Sequence, residues 1–310
     1  MIGQQAYKAP ITIEEIRLAR KKRLVIAMLS IFGDESSDEK EQRTYTVSGI
    51  AGTQEDWDKL APLWKERTGG IPFHGAECEA GKGPYKKMEK RDRLQLYADL
   101  VKILSRSRLM GFAATIDLQG FKSCFPHILP SEPYHLCFRK VLTYFAFMGY
   151  ILIPQEKVRF TFDLNSKIQY STVKLFEWVK GISEKEWKYS ITVDEIAFAS
   201  RKDEAGIGIQ AADIIAREAM KHYDNFFAGP KKYEKMRQSL QILRAPNYKF
   251  EFFVKEYFED MKNKLFKDFE EKTSSLYNSY ENWRIRNKRD DNATNRFEFL
   301  IYFDSLAETK

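Results

Sequence analysis

The sequence predicts an α/β fold, a mixed β-sheet flanked by helices. Short apolar runs of strand length alternate with longer segments of helical periodicity. The first two strands are joined by only a short polar loop, which favours an antiparallel pair within an otherwise alternating order. Two of the strands end in carboxylates, where open α/β sheets often carry their sites.

Residues 1–23 read as a basic N-terminal helix. Pro10 and Thr12 lead into Ile13, Ile16 and Leu18, and the segment closes on Arg20-Lys21-Lys22-Arg23. Residues 24–33 read as a fully buried first strand, and Asp34 to Arg43 as a polar loop. Residues 44–51 alternate as a second strand. An insert at about 54–105 follows. Its helix over 54–66 carries Trp57, Leu60 and Trp64, Gly69-Gly70 ends that helix, residues 71–84 read as loop, and 88–105 form an amphipathic helix. The third strand is expected at 109–117, a long apolar helix at 132–150 and a fourth strand at 157–164. Then come a helix near 168–181, a fifth strand near 188–198 and a helix at 206–223. Gly229-Pro230 marks the expected end of the core. Residues 230–310 read as a helical, aromatic-rich C-terminal extension, a surface open to a protein partner or a second copy of the chain.

The 310 residues carry 51 Lys+Arg against 44 Asp+Glu, a net charge of +7, which favours polyanionic partners such as nucleic acid or an acidic membrane surface. The extension itself is nearly balanced, with 17 Lys+Arg and 14 Asp+Glu, so it is not a simple basic arm. Within it, Tyr248, Phe250, Phe252, Phe253, Tyr257 and Phe258 are interleaved with Lys249 and Lys255. That pattern fits a packed layer or a surface that stacks bases.

Cys78, Cys124 and Cys137 form a sparse, odd set, which points to reduced thiols and a cytoplasmic setting. No apolar run approaches the roughly 20 residues needed to span a bilayer. Phosphate-binding Gly-x-x-x-x-Gly-Lys loops, Gly-x-Ser-x-Gly elbows and His-Glu-x-x-His pairs are all absent.

Four acidic positions stand out. Asp34 and Glu35 follow the first apolar run, where a turn is the plain alternative. Asp163 ends the fourth strand, with a cap as its alternative. Asp213 lies among Ala211, Ala212, Ile214 and Ile215 on a helix. A carboxylate there needs a cation or donors, unless it belongs to a solvated stripe with Gln210 and Arg217. His74 and Glu77, in a glycine-rich loop, suit metal ligation or acid/base work; a capping or surface role is the alternative. Hard divalent cations prefer such oxygens, and two of them can activate a water for phosphodiester cleavage.

Asp34-Glu35-Ser36, the Phe73-His74-Gly75-Ala76-Glu77 segment and the late Gln210-Ala211-Ala212-Asp213, in this order, resemble the domain of unknown function 3800 family over residues 24–225. The resemblance implies a ribonuclease-H-like core over 24–229, with a β-hairpin opening a mixed sheet. It also implies an Mg2+ or Mn2+ cluster and a place in antiviral defence or near mobile elements. Carried onto this chain, Asp34, Asp163 and Asp213 would be ligands, with Glu35 and Glu77 as further ones. His74 would position water or phosphate, and Gln210 and Ser36 would support them. Ribonuclease-H-like nucleases usually place a carboxylate on the first long helix after the third strand. Here that helix begins near Glu132 and offers His135 instead, and Glu77 stands as the substitute. The expected function is a metal-dependent nuclease. A non-catalytic interaction module in a defence or toxin-like complex is the alternative.

Overall fold

The computed structural model describes residues 29–38, 40–126, 132–152, 158–164, 172–177, 193–203, 206–225, 236–243 and 247–263. The expected basic helix at 1–23 lies outside them, as do most of the helix expected at 168–181 and most of the C-terminal extension.

The chain begins with strands β1 (Leu29–Ser37) and β2 (Thr44–Thr53), followed by helices α1 (Gln54–Thr68), α2 (Gly75–Ala80) and α3 (Lys90–Arg106). Then come β3 (Met110–Asp117), α4 (Leu118–Cys124), α5 (Glu132–Leu152), β4 (Val158–Asp163) and β5 (Val193–Ala199). Helices α6 (Gly206–Tyr223) and α7 (Gln238–Leu243) precede β6 (Tyr248–Phe253). The six strands form one mixed sheet in the order β5-β4-β1-β2-β3-β6. β2 runs antiparallel to both β1 and β3, while β4 pairs parallel with β1 and β5, and β6 parallel with β3.

Alternation along the strands divides the core into two layers. Ile31, Val47, Phe112, Ile116, Phe160 and Phe162 face α5 and pack with its Phe138, Val141 and Phe145. Ile50 and Ala113 face the other way, with Trp57, Trp64, Leu100 and the Ala211–Ile215 stripe of α6. α1 begins on a capping box in which Thr53 and Asp56 exchange hydrogen bonds, and it ends on Gly69 at φ 62°, a left-handed conformation that suits glycine.

Two expectations are corrected. β1 does not stop at Gly33 but continues to Ser37. Asp34 and Glu35 are therefore strand residues opposite Ser48 and Val47 rather than the start of a loop. The core also does not end at Gly229-Pro230. Residues 248–253, assigned above to a helical extension, supply the edge strand beside β3. The aromatics there pack: Phe253 and Phe258 are buried, and Phe250, Phe252 and Tyr257 lie half-buried against the two layers. Alternating Tyr248, Phe250 and Phe252 is a strand pattern, and the helical charge spacing that follows from residue 255 obscured it. Residues 71–84 are also not all loop, since α2 forms within them.

Candidate functional site

Asp34 on β1, Asp163 on β4 and Asp213 on α6 lie on one face of the sheet, close enough for Asp163 and Asp213 to act on the Asp34 charge. Phe32, Asp34 and Ser36 share the α6 side of β1, and Thr161 and Asp163 share that side of β4. α6 can approach β1 because Gly208 lies directly over Phe32; a Cβ there would fall 2.2 Å from the ring. Ser48 Oγ donates to the Ala212 carbonyl at 2.8 Å and fixes the helix one residue before Asp213.

Asp34 and Asp213 are buried, at 3% and 4% exposure. Asp34 Oδ1 accepts from the Glu35 N–H at 2.8 Å, while Oδ2 is buried without a hydrogen-bond partner. Burial pushes the Asp34 carboxyl well above the usual carboxylate range, and Asp213, Glu35 and Asp163 raise it further against the opposing charge of Arg201. Asp213 is satisfied from α2: the Gly75 N–H donates to its Oδ2 at 2.6 Å. The approach requires glycine, because a Cβ at residue 75 would fall 2.8 Å from Arg217 Cδ and 3.3 Å from Asp213 Oδ2.

Sequence reasoning missed Arg201. It follows β5, and its Nη2 donates to Asp163 Oδ2 at 2.6 Å. Burial disfavours its charge, but Asp34, Asp163 and Asp213 together raise its pKa. The guanidinium thus compensates the acidic cluster. The signal was present in the sequence, because Arg201 stands just past a strand end, as Asp163 does.

The other expected residues fall in different places. Gln210 does not orient Asp213. Its Oε1 accepts from Trp64 Nε1 and from the Phe73 N–H, each at 2.9 Å, and its Nε2 donates to the Arg201 carbonyl at 2.9 Å. It therefore joins α1, the segment before α2 and the backbone of Arg201. Glu35 alternates to the α5 side of the sheet, where its charge acts on the Tyr45 and Tyr134 phenols. Ser36 shares the Asp34 face and is half-buried. His74 and Glu77 lie at the rim, 31% and 42% exposed, with Nδ1 and Oε1 3.8 Å apart. His135 sits on α5, where burial lowers its pKa to about 4.

A part-buried ionic network holds α2 against α6. Glu79 binds Arg217 and Arg237, and Arg237 also binds Glu218, which is fully buried and accepts from Ser239 at 2.5 Å. The network anchors the short helix that delivers the Gly75 N–H to Asp213.

The donor chemistry suits a hard divalent cation, with three carboxylates on one sheet face and one buried oxygen without a partner. The spacing is more open. Among the described residues no three His, Cys, Asp or Glu side chains converge closely enough to hold a metal ion as they stand. Arg201 occupies Asp163 and supplies the positive charge there.

No helix among the described residues is long and apolar enough to cross a membrane. No family model and no curated protein matches the chain. Among solved structures it is similar to a chain of the PCNA:RNase HII complex from Archaeoglobus fulgidus, at 16% identity and a TM-score of 0.37, over 69% of this chain and 85% of that one.

Proposed function

We propose that the chain is a nuclease with a ribonuclease-H-like core, hydrolysing phosphodiester bonds in nucleic acid with Mg2+ or Mn2+. The observation that supports this reading is that Asp34, Asp163 and Asp213, from two parallel strands and one helix, share one sheet face and act electrostatically on one another, with one Asp34 oxygen buried and without a partner. The hairpin β1–β2 opening a mixed sheet supports the same family resemblance as the motifs.

Asp34, Asp163 and Asp213 would hold the metal, which would activate water and stabilise the leaving oxygen. The chain's own groups prepare that place. Burial and mutual repulsion keep Asp34 in need of a cation. The Gly75 N–H fixes the Asp213 carboxylate, and Gln210 fixes the Arg201 backbone. Arg201 is a cation that can turn from Asp163 toward a phosphate, and the half-exposed His74 is placed at the rim to meet the substrate.

One observation favours a non-catalytic module instead: Arg201 already neutralises Asp163, as a purely structural ion pair would. The two readings separate in one experiment. Labelled single- and double-stranded DNA and RNA are incubated with the purified chain and Mn2+ or Mg2+, alongside the Asp34→Asn variant. The nuclease reading expects cleavage by the wild type, lost in the variant and in EDTA. Absence of cleavage together with no Mn2+-induced thermal shift in the wild type would establish the module.

A further inference from the structure

We infer that the segment Lys82–Arg91 is a docking surface for the phosphate backbone of a nucleic acid, leading it to the neighbouring acidic site. The inference rests on the nuclease reading for the role of that site. Lys82, Lys86, Lys87, Lys90 and Arg91 lie within ten residues, and the only carboxylate among them is Glu89.

All five cations are exposed, and none pairs with a carboxylate among the described residues. Several other surface cations are answered: Lys59 by Glu55, Arg67 and Lys102 by Asp99, Lys249 by Glu251 and Lys255 by Glu259. This segment gathers five such unpaired cations within ten residues.

The segment is also held in shape. Tyr85 is 2% exposed, packs edge-on against Phe73 and places its hydroxyl 3.4 Å from the Pro72 carbonyl. Arg93 Nη1 donates to the Met88 carbonyl at 2.6 Å. With Tyr85 turned inward, the lysines on either side of it are presented outward without the ordering cost a free loop would bear on binding.

Its position supplies the second argument. The Lys82 N–H donates to the Glu77 carbonyl at 2.9 Å, and a Cβ at Gly83 would lie 2.7 Å from Glu77 Oε2. Glu77 belongs to α2, whose first residue, Gly75, donates to Asp213. The basic segment therefore begins one short helix from the carboxylates. An acidic cluster repels a polyanion, so a substrate needs flanking cations to bring one phosphate to it. A flexible chain of phosphates can bind the lysines and still reach the sheet edge. A flat anionic membrane would press its headgroups against the half-exposed Glu77 as well.

The test is equilibrium binding by the full chain in EDTA, where no cleavage intervenes. Fluorescence anisotropy is read on single-stranded and duplex oligonucleotides of about 30 nucleotides, across about 50 to 300 mM KCl. Each phosphate contact contributes about 0.7–0.9 to the slope of log K against log salt. The variant Lys86→Gln/Lys87→Gln/Lys90→Gln/Arg91→Gln should flatten that slope by about 3 and weaken low-salt binding at least about tenfold. A control, Lys102→Gln/Arg106→Gln/Arg108→Gln, removes charge at and just beyond the far end of α3 and should leave the slope unchanged. An unchanged slope in the quadruple variant, an equal loss in the control, or binding to phosphatidylserine vesicles but not to oligonucleotides would each overturn the inference. Binding through this segment without cleavage in Mn2+ would sink the nuclease reading and leave the docking surface standing. Cleavage with an unchanged slope would do the reverse.

Discussion

Replacing Asp34 by Asn should stabilise the metal-free protein at neutral pH. The wild type keeps a buried carboxylate whose Oδ2 has no partner and whose neighbours include Asp163 and Asp213. Leaving a buried polar group unsatisfied costs about 1–3 kcal/mol. Asn removes the charge at nearly constant volume and brings two N–H donors toward the remaining carboxylates. It forfeits the attraction of Arg201, so the gain should sit within that range rather than above it. At roughly 2 °C per kcal/mol for a chain of this size, the melting temperature in EDTA should rise by about 2–6 °C. The sign with pH follows from the raised carboxyl. Between the unfolded pKa, near 3.9, and the higher folded value, the native state binds more protons than the unfolded one, so Asp34 makes stability fall as pH rises. Its penalty is complete above the folded pKa and absent below about pH 4, where wild type and variant should melt alike. Thermal melts of both proteins in EDTA, from about pH 4 to 8, read this directly. A variant less stable than wild type at pH 7, or an advantage that persists unchanged at pH 4, would refute the reasoning.

Arg201→Gln should act in the opposite sense. It leaves three carboxylates uncompensated and should lower the unfolding free energy from urea titration in EDTA by about 1–3 kcal/mol, with Mn2+ recovering more stability than it gives the wild type; equal metal responses would show that Arg201 and a cation do not share a place. Gly75→Ala drives a methyl toward Arg217 and Asp213 and should cost about 1–3 kcal/mol in urea unfolding; a neutral result would mean that α2 can back away from α6. Glu218→Gln breaks the ion pair between fully buried Glu218 and partly exposed Arg237 and should cost about 1–3 kcal/mol, read in the same unfolding assay; a loss under about 1 kcal/mol would show that Glu79 alone suffices for Arg237.

Period and composition carried most of the fold into the sequence. α6 was expected at 206–223 and lies at Gly206–Tyr223, because its Ala211–Ala216 face has both the helical period and the small residues needed to press on a sheet. β1 was cut short because its apolar run ends at Gly33. Nothing local shows that Asp34 and Glu35 still pair with β2; only the partner strand does. β6 was hidden for the same reason, since its role as a strand depends on an edge of β3 more than 130 residues earlier in the chain. In the candidate site, Asp34, Asp163 and Asp213 were legible as acids at strand ends and on an apolar helix. The Arg201 ion pair and the clasp of Glu79, Arg217, Arg237 and Glu218 were not, because pairs between distant segments leave no trace in local spacing. Gln210 was visible as a polar residue on a buried helix, but its direction was set by Trp64 and Phe73.

The place of β6 has a consequence for biosynthesis. As the chain leaves the ribosome, β1, β2 and β3 can pair early, but the outer edge of β3 has no partner until Tyr248–Phe253 emerge. During that interval a row of backbone donors and acceptors, flanked by Phe112 and Ala114, stands open to any other strand. Nascent chains stalled before residue 248 should therefore be a favoured substrate for chaperones, and prone to aggregate without them. Release from this vulnerability should coincide with synthesis of β6.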